Sequence, residues 1–228
     1  MSSVKVNQHE QEKKRIEQVL KILAIHYPQV KTGLVYDNSF QLFVATVLSA
    51  QTTDQQVNKI TARLFEALPT AYEMARIKPS DLEPYLKRVG LYRHKASYLV
   101  EASKIIVEQH GGRVPDQFAE LIKLPGVGRK TANIIISSAY GQPALAVDTH
   151  VFRVSRRLGL ADGKNVDAVE EQLKMVIPQD QWIASHHRLI AHGRTLCQAR
   201  NPQCKNCFLN EWCFLILERG NDEWPLKN

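Results

Sequence analysis

The chain has 228 residues, of which 44% are hydrophobic, and 30 Lys and Arg against 23 Asp and Glu give a formal net charge of +7. This length and composition predict an ordinary soluble protein with one large domain or two small ones. The polar N-terminus lacks the apolar run of a signal peptide, and no segment approaches the ~20 apolar residues of a membrane span, so we expect a cytoplasmic protein with no membrane partner.

Apolar residues recur with a helical period along almost the whole chain. The period is clearest in four segments: residues 16–23, 57–68, 99–106 and 166–176. Residues 40–50, FQLFVATVLSA, are apolar on nearly every face, which predicts a helix at the centre of a core. The β-branched run Ile134–Ile136 favours a strand, but its flanking alanines and the Tyr140–Gly141 stop favour a buried helix. The fold class predicted is all-α.

The stretch LIKLPGVGRKTAN, residues 121–133, joins two helical patterns by a turn that contains Gly126 and Gly128. Glycine lets a backbone come close to a ligand, and the N-terminus of the second helix attracts phosphate. A tight corner without a ligand would show the same glycines. The basic character of the region favours phosphate binding, because residues 121–147 and 181–210 contain no Asp or Glu.

Lys130 follows this turn directly. Beside such a turn a lysine is commonly solvated or paired with phosphate. A nucleophilic lysine must lose its proton, and at the usual pKa of ~10.4 roughly one in a few thousand is neutral at pH 7. A place in the first turn of a helix, partly desolvated, would favour the neutral form.

Asp148 is the first carboxylate after Glu120 and opens the helical pattern of AVDTHVFRV. It fits an ordinary N-cap. As a catalytic group it would stabilise positive charge on a sugar or accept a proton, since an ionised aspartate raises the pKa of a neighbouring lysine and so does not activate it.

Four cysteines, Cys197, Cys204, Cys207 and Cys213, have the spacing C-x6-C-x2-C-x5-C. In a reducing compartment such a cluster indicates metal ligands, and both zinc and a [4Fe-4S] cluster are held by four thiolates. Arg200 and Lys205 lie within this loop, where they would contact DNA phosphates or remain solvated.

Together, LSAQTTD, LPGVGRKTAN, VDTHVFRV and the cysteine spacing make the chain resemble the endonuclease III family of DNA glycosylases and AP lyases, from about residue 12 to residue 214. The resemblance implies a helix-hairpin-helix DNA glycosylase fold. Residues 32–142 would form a six-helix barrel domain with the hairpin at about 121–141. Residues 1–31 and 143–228 would form a helical domain with a [4Fe-4S] cluster in the loop 197–213.

The resemblance also implies roles for single residues. Lys130 would be the Schiff-base nucleophile and Asp148 the catalytic carboxylate, while Gln51 and Leu91 would enter the duplex to fill the space left by a flipped-out base. Gly126, Val127 and Gly128 would contact the DNA backbone.

The activity implied is excision of oxidised pyrimidines from duplex DNA, followed by strand cleavage through β-elimination. The partner would be double-stranded DNA that contains damaged pyrimidines or abasic sites. The protein would be a monomer and would associate with the nucleoid by binding DNA. Adenine glycosylases share these motifs but lack the lysine and usually carry a further C-terminal domain. A non-catalytic iron-sulfur protein that binds DNA or senses redox state is the alternative from another class.

Overall fold

The computed structural model describes residues 2–219, and in that range the chain is helical and contains no β-strand. The predicted all-α class is therefore confirmed, and among these residues no helix is both long and apolar enough to cross a membrane. The α-helices are α1 (Ser2–His26), α2 (Ser39–Ser49), α3 (Asp54–Ala67), α4 (Ala71–Arg76), α5 (Pro79–Leu86), α6 (Tyr92–His110), α7 (Phe118–Leu121), α8 (Arg129–Tyr140), α9 (Thr149–Leu158), α10 (Val166–Val176), α11 (Trp182–Thr195) and α12 (Phe214–Arg219). Short 3₁₀-helices lie at Gln179–Gln181, Cys204–Asn206 and Asn210–Trp212.

The chain divides into two compact units. One is continuous, Thr32–Ala146, and contains α2 to α8. The other joins the chain up to Lys31 with the chain from Val147 onward, so it contains α1 and α9 to α12.

Helix α2 lies in the core of the continuous unit, where it packs against α3, α6 and α8. Its nine residues from Phe40 to Leu48 are all buried, as expected for a helix that is apolar on every face. The side chain of Asn38 caps its N-terminus by accepting a hydrogen bond of 2.9 Å from the Gln41 amide.

Two long helices of this unit end at glycines with a positive φ, which relieves the steric cost of that conformation. Helix α6 ends at Gly111 (φ 57°) and α8 at Gly141 (φ 62°). The run Ile134–Ile136 lies inside α8, and Ile135 and Ile136 are buried. Core packing on one face of α8 thus outweighs the β-propensity of these residues.

In the discontinuous unit, Arg15 on α1 joins segments that are far apart in the sequence. Its guanidinium donates to the carbonyl oxygens of Leu158 and Trp212, each at 2.7 Å, and of Gly159 at 3.0 Å. Glu12 accepts two further hydrogen bonds from Arg15, which lowers the pKa of that carboxyl group. A buried charge needs such complete pairing, and here it attaches α1 to the end of α9 and to the cysteine segment.

Candidate nucleic-acid interface and cysteine site

The predicted hairpin consists of α7, a turn and α8. Gly126 has a φ of 79°, which glycine adopts without strain, and a Cβ at this position would lie 3.1 Å from the Cβ of Tyr98. Gly126 is therefore required by the turn itself. Arg129, at the start of α8, lies 5.5 Å from the centre of the Phe118 ring on α7.

Gly128 differs from Gly126 in both respects. Its φ of −97° is open to any residue, and a Cβ at this position would meet nothing within 4 Å. Gly128 is also the N-cap of α8, so this helix begins without a capping side chain. The folded chain itself does not need a glycine here, and a bare backbone at a helix N-terminus suits close approach by an anion.

Lys130 is the second residue of α8, as the sequence predicts. The expected partial desolvation is not found, because its side chain is exposed. The hydrophobic Val127 side chain is 8% exposed and belongs to the core, and its amide donates to the Leu124 carbonyl at 3.1 Å. Of the predicted hairpin contacts, Val127 therefore shapes the turn from inside and presents neither its side chain nor its N–H to a ligand.

Gln51 and Leu91, the two residues predicted to insert into the duplex, share an unusual backbone conformation. Within residues 2–219 they are the two non-glycine residues with a positive φ, at 60° and 58°. This region costs an L-amino acid roughly 1–2 kcal/mol. Both side chains are exposed, Leu91 by 62%. A Cβ added to Gly90 would lie 4.0 Å from the Gln51 side-chain oxygen, so the two segments are neighbours.

Lys95 belongs to this neighbourhood and was missed by sequence reasoning. Its side chain is only 6% exposed, and its ammonium group donates to the carbonyl oxygens of Leu48 at 3.0 Å and Ala50 at 2.5 Å. Burial lowers the pKa of Lys95. The signal that could have revealed it is its place one helical turn before Leu99, on the apolar face of α6.

Asp148 lies in the discontinuous unit, as the N-cap of α9. Its Oδ1 accepts a hydrogen bond of 2.8 Å from the Val151 amide, so the structural role considered for it is confirmed. This hydrogen bond fixes the side chain through Oδ1, and the other carboxylate oxygen, Oδ2, takes no part in it. The side chain is half-buried. Near it, burial lowers the pKa of His150.

The four cysteines line one small cavity, together with Leu158, His192 and other side chains of the discontinuous unit. None of them forms a disulfide. Burial raises the pKa of Cys207 to about 11 and also raises that of Cys213, and the neighbouring thiols add to both shifts. Four thiolates in this cavity therefore require a positive partner.

Two arginines of α9 fix the start of the cysteine loop. Arg153 donates to the Cys197 carbonyl through two nitrogens, at 3.1 and 3.3 Å. Arg157 lies 3.5 Å from the Cys197 sulfur and donates to the Gln198 carbonyl at 2.7 Å. The helix that Asp148 caps thus also supports this loop, on which Arg200 and Lys205 are exposed.

The predicted site residues thus form three groups. Gly126, Gly128 and Lys130 share the hairpin, and Gln51 and Leu91 share the neighbouring segments of the same unit. In the discontinuous unit, Asp148 and the four cysteines are linked through α9.

Comparison with known proteins places this arrangement in a family. The model of the HhH-GPD superfamily of base excision DNA repair proteins matches residues 44–179. Endonuclease III of Escherichia coli (strain K12) is 44% identical over 200 residues, which are 88% of this chain and 94% of that relative. Two solved structures, a non-covalent endonuclease III–DNA complex and a trapped endonuclease III–DNA covalent intermediate, are each 43% identical with a TM-score of 0.86. Both alignments cover 91% of this chain and 97% or 98% of the matched chain.

Proposed function

Because the chain belongs to the endonuclease III family, within the HhH-GPD superfamily of base excision DNA repair proteins, we propose that it excises oxidised pyrimidines from duplex DNA and then cleaves the strand. It is a DNA glycosylase and AP lyase. The main structural support for this proposal is Lys130, which is exposed at the uncapped N-terminus of α8. The chain is also 43% identical to an endonuclease III that was trapped in a covalent complex with DNA. We expect it to act as a monomer, on DNA in the nucleoid.

The hairpin would bind a DNA phosphate. Gly128 leaves the surface open where a side chain would otherwise stand, and the first amides of α8 have no intrahelical acceptors. The positive end of the helix dipole adds to the attraction. Gly126 would let the turn approach the backbone, whereas Val127 would contribute by packing in the core.

Lys130 would act as the nucleophile. Its Nζ forms a bond to C1′ of the damaged nucleotide while the C1′–N glycosidic bond breaks, and the base leaves with that electron pair and takes up a proton. Opening of the sugar gives a Schiff base, and loss of a proton from C2′ then expels the 3′ phosphate by β-elimination. Lys130 is exposed in the free protein, so its amine is accessible to a bound nucleotide.

Asp148 would act on the deoxyribose of the damaged nucleotide. The Val151 amide holds one carboxylate oxygen, which fixes the direction of the group. The carboxylate would stabilise the positive charge that develops on the deoxyribose as the base departs, and it would accept a proton during the attack.

Gln51 and Leu91 would fill the space that the flipped base leaves. Extruding a base costs a few kcal/mol, which inserted side chains and phosphate contacts offset. The exposure of both insertion residues and their strained backbone support this role, since such strain is concentrated at functional positions.

Cys197, Cys204, Cys207 and Cys213 would hold a [4Fe-4S] cluster. The donor set fits, because the four thiols line one cavity and are not paired as disulfides. When bound, the cluster would supply the positive charge that the thiolates need and shape the loop that presents Arg200 and Lys205 to DNA phosphates.

A borohydride trap tests the nucleophile. Wild-type protein incubated with a duplex containing one oxidised pyrimidine should form a reduced covalent complex, seen as a shifted band on a denaturing gel. Lys130→Gln should lose the complex by at least about a thousandfold, because a glutamine amide cannot form a Schiff base. Lys104→Gln, which removes an exposed lysine of α6, controls for the change of charge.

Undiminished trapping by Lys130→Gln would refute the assignment of the nucleophile. A wild-type protein that binds the duplex but neither excises nor nicks would instead support a non-catalytic iron-sulfur protein. Excision without nicking or trapping would indicate a monofunctional glycosylase.

The metal proposal has its own measurement. Protein purified without oxygen should contain about four irons and four sulfides per chain and absorb visible light, as expected for a [4Fe-4S] cluster. Cys207→Ser should lose most of both the iron and the colour. Zinc bound in place of iron would contradict the proposal.

A further inference from the structure

The side chain of Lys95, which lies on α6, caps the C-terminus of the neighbouring helix α2. Helix α2 has no basic residue in its last turn, so the negative end of its dipole has no compensating cation of its own. The Lys95 ammonium, from α6, donates to the Leu48 carbonyl in that turn and to the Ala50 carbonyl just beyond it. Leu48 itself is fully buried, so its carbonyl has little access to water.

The same residue is bonded to the second insertion segment through its backbone. The Lys95 amide donates to the Leu91 carbonyl at 3.0 Å and closes the first turn of α6. Ala50 precedes Gln51 directly. Lys95 therefore holds, with one side chain and one amide, the segments of both non-glycine residues that have a positive φ within residues 2–219.

We propose that Lys95 is a positioning residue that fixes Gln51 and Leu91 relative to each other for joint insertion into the duplex. This inference rests on the insertion role given to them above. In this role Lys95 acts through the backbone of the two segments and not through contact with the substrate.

Lys95 can act in this way because the backbone conformation of the two residues is unfavourable and depends on contacts from outside. A non-glycine residue stays at a positive φ only where its surroundings impose it. Without the Lys95 ammonium, the Leu48 carbonyl loses its partner and Ala50 is released, so Gln51 can relax to a negative φ that turns its side chain away. A mutation far from the reacting atoms that misplaces the substrate by about 1 Å is enough to slow an enzyme ~100-fold.

Lys95→Met tests this, because methionine keeps most of the volume and removes the donors. The readout is the ratio of two cleavage rates, measured on an abasic site in a duplex and on the same strand unpaired. An unpaired strand has no partner base and so no gap to fill. We expect the ratio to fall about tenfold in Lys95→Met, mainly through the duplex rate.

Two comparisons separate positioning from a general loss of structure. Ser103→Ala removes another buried hydrogen bond of α6, that from Ser103 to the Leu99 carbonyl (2.6 Å), and should leave the ratio unchanged. In a Gln51→Ala, Leu91→Ala background, Lys95→Met should lower the ratio by less than twofold, because its targets are already gone. If Lys95→Met does not fold, Lys95→Gln gives the same test, since its shorter amide cannot reach both carbonyls.

A wild-type ratio in Lys95→Met overturns the inference, while the insertion role stands if Gln51→Ala and Leu91→Ala still lower the ratio. A full tenfold loss in the double-alanine background also overturns it, because Lys95 would then act by another route. If the alanine variants themselves keep the wild-type ratio, the insertion role and the inference both fail, and trapping by Lys130 is unaffected.

Discussion

Two kinds of tight turn in the continuous unit reach a positive φ in opposite ways. At the hairpin, Gly126 adopts it without strain, and the neighbouring Gly128 leaves open space. At the other two positions, Gln51 and Leu91 adopt it against the steric preference of a side chain. The comparison shows that the turn of the hairpin needs a residue without a side chain at Gly126, whereas the two proposed insertion residues keep their side chains at a cost of roughly 1–2 kcal/mol each.

Within this comparison, the largest effect on activity is expected when Gln51 and Leu91, the proposed insertion residues, are replaced by glycine. Gln51→Gly and Leu91→Gly relieve the strain but increase the freedom of the unfolded chain, and these terms of about 1 kcal/mol oppose each other. The melting temperature should therefore change little. The rate of excision from duplex DNA should fall about tenfold to a hundredfold, because the inserting side chain is lost.

Single-turnover excision and thermal unfolding of the same samples measure both quantities. Leu91→Ala is the matched control, since it removes the side chain and keeps the strain. Full excision by both glycine variants would show that neither side chain is needed for excision and would contradict the insertion role.

A smaller effect is expected at the hairpin, where Gly126→Ala and Gly128→Ala form a matched pair. Gly126→Ala should lower the free energy of unfolding by about 1–3 kcal/mol, because it combines a positive φ with a close contact to Tyr98. Gly128→Ala should change it by less than about 1 kcal/mol. Gly128→Ala should instead weaken DNA binding about fivefold to tenfold, because its Cβ would stand where the phosphate approaches.

Denaturant unfolding and a DNA titration at one fixed salt concentration distinguish the two variants, since phosphate contacts depend on salt. Equal DNA affinity in Gly128→Ala and wild type would mean that the hairpin is a corner without a ligand.

Much of the fold could be predicted because local patterns and packing agree. The apolar segment 40–50 can be satisfied only by burial on all sides, and α2 is buried in this way. The predicted stop at Gly141 follows from the steric freedom of glycine. The β-branched residues Ile134–Ile136 favour a strand locally, but burial of the apolar face of α8 makes them helical.

The site was predicted less completely, because several roles depend on contacts between distant residues. The hairpin, Lys130 and the cysteine spacing are local motifs, and short stretches of sequence are enough to recognise them. The exposure of Lys130, the burial of Val127 and the partners of Lys95 depend on which segments pack together. In a sequence, Lys95 is one charged residue in an amphipathic helix.

The sequence by itself determined the helical class, the glycine turn and the order of the chemical groups, since each depends on residues a few positions apart. The tertiary structure alone decided that the side chains predicted to enter DNA stand on strained backbone. It also decided that a lysine 44 positions after Gln51 supports that backbone. The physical reason is that a positive φ at Gln51 or Leu91 is unfavourable locally, so only contacts from other segments can maintain it.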